Sequence, residues 1–352
     1  MLQKTIFIIS LACLLATLEL SSQPGGKIFQ FLEITNSARV AALGGKTVAF
    51  SGDDLNFPFH NPSLLNNSMH NHLVLNYVDY FAGINYGYVS YSRSYKNIGN
   101  FAAGIHYLNY GNFIGADESG VKTSEFRAAD YAMNLIYSRH LDSLFTIGIN
   151  LKPIYSHLES YSCVAIAFDA GITYNNADKL FTASLVLKNI GTQISTYYPN
   201  AEKEPLPFEI QLGVAQKLKY APLGIYIVAE HLEKFDLTYT TEEEKNSSTD
   251  PFTGEEIKED KLNTFIDKFM RHIIVGTELY LTDNFMLRFG FNYRRRVEML
   301  VDSRPGTVGF SWGLGIKISK FHLSYARQTY HLAGAPNHFS INMNLSEFYK
   351  KF

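Results

Sequence analysis

The residues able to do chemistry in this chain are dispersed among aromatic and aliphatic ones at every second position. Asp169, Glu209, Glu230, Glu278, Arg288, Arg294 and Lys317 each occupy the polar half of such an alternation. Successive strand residues point to opposite faces, so these charges are expected to share one enclosed face while the aromatic residues occupy the other. Both signs are present, which suits either mutual pairing inside a filled interior or a lining selective for a polar solute. For catalysis, Ser324, His322, Glu278 and His272 are the residues that strands could bring together, as an outer-membrane lipid hydrolase would need. No spacing fixes a nucleophile beside a base, and the expectation is a protein that is not an enzyme. The eleven histidines are scattered, with His70 and His72 the only close pair, so no metal-ligand set has usable spacing. Neither a P-loop nor a GxGxxG pattern occurs, and no cofactor is expected.

What must position these residues follows from composition and targeting. The 352-residue chain carries 31 Lys and Arg against 33 Asp and Glu, for a net charge of −2, and its longest basic block is Arg294, Arg295 and Arg296. That balance leaves no electrostatic footprint for nucleic acid. Residues 1–22 read as an export signal, with Lys4 at the positive end, an apolar run from Ile6 to Leu18, and small Ser21 and Ser22 before Gln23. Once Cys13 leaves with that signal only Cys163 remains, so no intrachain disulfide holds the exported chain. No later apolar run reaches the roughly 18 residues of a helical span. A membrane location therefore requires a closed barrel, because lipid offers no water to satisfy open strand edges.

From Asn71 to the end the sequence divides into segments rich in Tyr, Phe, Ile, Val and Gly with a period of two. Phe285, Leu287, Phe289, Phe291 and Tyr293 alternate with Met286, Arg288, Gly290, Asn292 and Arg294; Val308, Phe310, Trp312, Leu314, Ile316 and Ile318 alternate with residues that are mostly Gly, Ser or Thr. A small or polar face opposite an unbroken apolar one distinguishes a lipid-facing barrel from a soluble sandwich. The expected fold is an all-β transmembrane antiparallel barrel of about fourteen strands, an even number as bacterial barrels require. If the N-terminus lies in the periplasm, short turns should follow even strands and longer loops odd ones, such as Asn112 to Phe126, Ile190 to Leu206 and Glu298 to Gly306. The strand ending near Glu298 is expected to run from Phe285 to Val297.

Two regions depart from this pattern. Residues 23–70 precede the barrel of residues 71–352 as a short helical or irregular segment, either a plug inside the lumen or a periplasmic cap. Within it, Phe31 to Leu43 carries helical spacing ending at Gly44 and Gly45, which suit a left-handed cap, and Asn61, Pro62 and Ser63 mark a turn. Residues 235–269 form the second region, a surface loop with Glu242, Glu243, Glu244 and Lys245 in a polar run too poor in apolar side chains to bury much. Together with Asp117, Glu118, Tyr197 and Tyr198 on other loops, these are the residues expected to meet a surface partner.

The run Gly25-Gly26-Lys27-Ile28-Phe29-Gln30-Phe31-Leu32-Glu33, followed by Ser37-Ala38-Arg39-Val40-Ala41-Ala42-Leu43-Gly44-Gly45, resembles the mature N-terminus of the PorQ family, outer-membrane components of the type IX secretion system. Asn61-Pro62-Ser63-Leu64 is similar to the turn of the wider FadL-like barrel superfamily. The resemblance implies a non-catalytic outer-membrane barrel in a surface attachment complex. Its implied partners are a PorZ-like surface protein, a PorU-like sortase, a PorV-like barrel and anionic lipopolysaccharide. The alternative it leaves open is a FadL-like transporter of hydrophobic molecules, in which the N-terminal segment plugs the lumen.

Overall fold

Alternating apolar and small or polar residues make each segment a strand with two unlike faces, and the sheet closes on itself to keep those faces apart. The computed structural model describes residues 26–238, 261–301, 306–331 and 334–349. The expected signal at 1–22 and the loop residues Glu242, Glu243, Glu244 and Lys245 lie outside these. The first seven strands are β1 (His72–Asp79), β2 (Asn85–Tyr95), β3 (Gly99–Ala116), β4 (Lys122–His140), β5 (Phe145–Leu158), β6 (Tyr161–Asn175) and β7 (Phe181–Gln193). The remainder are β8 (Glu209–Lys217), β9 (Leu223–Ala229), β10 (Ile273–Thr282), β11 (Phe285–Asn292), β12 (Phe310–Ile318), β13 (Phe321–Gln328) and β14 (Asn337–Asn344). Each pairs antiparallel with its sequence neighbours, and β1 pairs with β14 from His72 opposite Asn344 to Asp79 opposite Asn337, closing a fourteen-stranded barrel.

The two faces separate cleanly. Leu75, Tyr77, Ile105, Met133, Ile149, Phe168, Leu185, Leu212, Ile227, Phe289, Trp312 and Phe339 point outward and stay exposed, while Asn76, His106, Asn134, Asn150, Asp169, Gln211, Glu278, Arg288 and Ser340 point inward and are buried. A soluble protein would do the reverse. Large apolar side chains left in water forgo roughly 1.5–3 kcal/mol each, and a belt of them around a closed cylinder is the surface that acyl chains cover.

Connections after odd strands gather at one end, here called the loop end, and those after even strands at the turn end. The β3–β4 connection is shorter than expected: pairing continues through Phe113 opposite Phe126, whose rings stack 5.2 Å apart, and the tip is confined to residues 117–121. Asn112, which reads as the first loop residue, pairs with Arg127, and the ladder bulges just before it, with Gly111 at φ 88°. The expected strand beyond Asn292 is a helix, because the Asn292 side chain accepts a hydrogen bond from the Arg295 amide and starts a helical turn.

Residues 26–70 occupy the lumen. They enter at the loop end, where the Ile28 amide donates to the Pro205 carbonyl, and leave at the turn end into β1. The helix expected from Phe31 to Leu43 is broken into a 3-10 turn at Gln30–Glu33 and helix α1 at Ala38–Ala42; α2 follows at Phe57–His60. A five-residue helix is far below the length that is stable alone. The barrel wall completes it: Ser340 Oγ accepts from the Ala38 amide, while Gln328 Nε2 and Ser311 Oγ donate to the carbonyls of Ala41 and Ala42. Gly44 then turns the chain at φ 104°, with its amide on the Ala41 carbonyl and that of Gly45 on the Val40 carbonyl.

Candidate functional site

The lumen holds its chemistry as charge clusters, two of which join the N-terminal segment to the wall. Glu278 on β10 is fully buried and receives Arg39 Nη2 at 2.7 Å, Arg288 Nε at 2.7 Å, and the hydroxyls of Tyr280 at 2.7 Å and Tyr226 at 3.0 Å. Arg39 reaches Asp54 at 3.3 Å and lies over the Phe50 ring at 4.6 Å. Nearer the loop end, Lys46 Nζ sits 2.7 Å from both Glu209 and Glu230, and Arg294 closes on Glu230 at 3.2 Å. Burial disfavours the Lys46 ammonium, but Glu209 and Glu230 outweigh it and hold its pKa above the usual lysine range. A third cluster, within the wall alone, places Lys152 2.6 Å from Asp169, which also accepts from Asn150 at 3.2 Å and from the Asn189 amide at 2.8 Å.

The Asn61-Pro62-Ser63 turn is locked in the same way. Asn61 Nδ2 donates to the Val48 carbonyl at 2.7 Å and to Thr173 Oγ1 at 3.1 Å, while Asn61 Oδ1 accepts from the Ser63 amide at 3.0 Å. Ser63 Oγ meets Thr173 Oγ1 at 2.7 Å. The turn fits only because β5 and β6 carry Gly148 and Gly171 there: a Cβ on either would collide with Pro62 or Asn61.

Of the charges expected to share the lumen, Asp169, Glu209, Glu230, Glu278 and Arg288 do so, each buried. Arg294 approaches from helix α4 (Tyr293–Met299, after α3 at Lys261–Met270) rather than from a strand. Lys317 is exposed at the turn end beside Lys320, His322 and Glu347. Among the loop residues, Asp117 and Glu118 are exposed at the β3–β4 tip. Tyr198 is exposed against Tyr161, at 4.6 Å between rings, whereas the hydroxyl of Tyr197 turns inward to Ser156 at 2.6 Å. Lys46, Asp54, Lys152, Tyr226 and Tyr280 belong to the clusters and were not singled out in the sequence. Alternation could have found the wall residues, whereas nothing local marks Lys46, which meets Glu209 across 163 positions.

Of the residues considered for hydrolysis, Ser324 and His322 line one small cavity, and no hydrogen bond joins a nucleophile to a base there among the described residues. Both ring nitrogens of His272 face backbone carbonyls, Glu230 at 2.7 Å and Phe235 at 3.0 Å, and Ser324 Oγ accepts from the Arg288 guanidinium, which offers no base. Glu33, Glu209 and His231 bring donor atoms within 4.8 Å of one another, a grouping the sequence did not suggest, but the Lys46 ammonium already supplies the cation there.

Two cavities flank the filled centre. At the loop end a vestibule of about 460 Å³ is lined by Phe31, Ile34, Tyr80, Tyr110, Met299 and Tyr330, with Lys46, Arg294 and Arg295 among its charges. At the turn end a cavity of about 560 Å³ is lined by Phe50, Ser63, Leu64, Asn66, His140 and Lys179.

Among solved structures the chain is similar to the toluene transporter TodX of Pseudomonas putida, with a TM-score of 0.50 and 13% identity, covering 88% of this chain and 96% of that one. A FadL homologue of Pseudomonas aeruginosa aligns at a TM-score of 0.48 and 11% identity, covering 88% and 98%. The likeness is one of fold. No family model matches the chain, and no curated protein matches it in sequence.

Proposed function

We propose that this chain is a plugged outer-membrane barrel of the FadL-like kind that takes up a small hydrophobic molecule at its loop end. The observation that carries this is an inside-out closed barrel whose own N-terminal segment fills the lumen and leaves an aromatic-walled vestibule above it. Phe31, Tyr80, Tyr110 and Tyr330 suit an apolar body, and the charges of both signs beside them, Lys46, Arg294 and Arg295 with Glu33, Glu230 and Glu298, suit a polar end. Inward passage then requires the plug to shift, because buried side chains close the centre. The test is photolabelling of the reconstituted protein with a diazirine-bearing laurate. Label is expected on peptides containing Phe31, Tyr80 or Tyr110, competed by free laurate; label confined to outward residues such as Ile149 and Phe168 would overturn the reading.

A second reading is favoured by the N-terminal run of residues 25–45 and by the tall β3–β4 hairpin, whose strands of 18 and 19 residues are the longest in the barrel. In it the barrel is a non-catalytic anchor of a type IX secretion attachment complex, holding a PorZ-like protein that presents anionic lipopolysaccharide to a PorU-like sortase alongside a PorV-like barrel. Asp117 and Glu118 at the hairpin tip and Tyr198 on the β7–β8 connection are its described contact residues.

A further inference from the structure

Helix α3 is built in reverse for a helix in water. Leu262, Phe265, Ile266 and Phe269 follow the i, i+3, i+4, i+7 spacing of one apolar stripe, yet they are 65%, 55%, 48% and 51% exposed. The charged side of the helix is the one pinned to the protein. Asp267 accepts from the hydroxyl of Tyr293, on α4, at 2.8 Å, and Lys268 pairs with Asp236 at 2.7 Å. These contacts fix the helix against the barrel rim through its polar face and turn the apolar face away.

The strands carry the same inversion, and the two surfaces join. The Phe265 ring lies 5.7 Å from that of Phe235, itself exposed just beyond β9. Leu232, between Phe235 and β9 in the chain, is exposed too, as are Ile227 on the outward face of β9 and Val275 opposite it on β10. We propose that α3 is an interfacial helix whose apolar face lies in the acyl chains of the lipid layer around the loop end, extending the barrel's girdle sideways. Its ten described residues reach about 15 Å, a length that lies in an interface.

This inference rests on the membrane reading of the barrel, and one experiment separates the two. Trp312 is the only tryptophan in the chain and sits on the outward face of β12. Phe265→Trp and Phe269→Trp, each combined with Trp312→Phe, are compared with the parent in vesicles whose phosphatidylcholine chains are brominated close to the glycerol. The indole of either variant is expected to lose emission to the brominated lipid as strongly as Trp312 does in the parent, and to resist aqueous iodide. If Trp312 is quenched by lipid while both variant indoles answer only to iodide, α3 faces water or another protein and the inference fails. If Trp312 itself escapes the brominated chains, the membrane reading fails and takes this one with it.

Discussion

A single carboxylate does much of the work of holding the lumen shut. Glu278 has no exposure to solvent, and two guanidiniums and two phenols converge on it. Glu278→Gln preserves shape but leaves Arg39 and Arg288 buried against a neutral amide, and breaking a buried pair in this way costs about 3–5 kcal/mol. Urea unfolding in detergent micelles is expected to register a loss of that order, with the exposed Glu347→Gln as a silent control; equal midpoints for Glu278→Gln and the parent would refute it. The wall half of this cluster was legible, since Glu278 and Arg288 fall on the polar side of their alternations. The half contributed by residues 26–70 was less so. Arg39 stood out within a recognisable run, but Asp54 and Lys46 lie in irregular backbone, where no period assigns a face.

Between wall and plug the contact is made by missing side chains. Inward glycines on β8, β10, β11 and β12 lie against the N-terminal segment: a Cβ at Gly213 would come within 2.6 Å of Val48 Cγ2, at Gly276 within 2.7 Å of the Leu43 carbonyl oxygen, and at Gly313 within 2.7 Å of Ala42 Cβ. At Gly290 it would strike the backbone of Leu43 and Gly44, so Gly290→Val is expected to unseat α1 while leaving the outward face of β11 intact. Limited proteolysis should then cut within residues 26–70 while the barrel keeps its heat-modifiable migration, and unchanged protection of that segment would count against the packing argument. In the sequence these glycines read only as a small, polar-tolerant face. Their purpose was hidden because the partner backbone lies more than a hundred residues away. The end of β11 misled for a different reason: Phe291, Tyr293, Arg295 and Val297 continue an alternation, and only the capping side chain of Asn292 turns it into a helix.

The whole molecule was the most legible level, because strands with a period of two and one unbroken apolar face require a closed cylinder in lipid. Whether residues 23–70 filled it or capped it was not, since both placements bury the same apolar residues and only contacts with distant strands distinguish them. The anchoring reading is tested at this scale. If the chain holds a surface partner, mild-detergent pull-down from cells should recover a PorZ-like protein with the parent and markedly less with a chain whose β3–β4 tip, Asp117 to Gly120, is trimmed. Recovery of no partner by the intact chain, with laurate labelling of the vestibule preserved, would leave the uptake reading standing alone.

The pairing of β1 with β14 bears on how such a molecule comes into being. Closure enlists the last described strand of the sequence, and the segment it encloses is the first described stretch, leading directly into β1. With the segment absent, Glu278 would keep only Arg288 of its two guanidinium partners and Glu209 would lose its 2.7 Å contact with Lys46, while Arg294 would still reach Glu230. A vessel sealed before its contents were aboard would hold buried carboxylates short of partners, a cost that favours seating the contents before the seam between β1 and β14 closes.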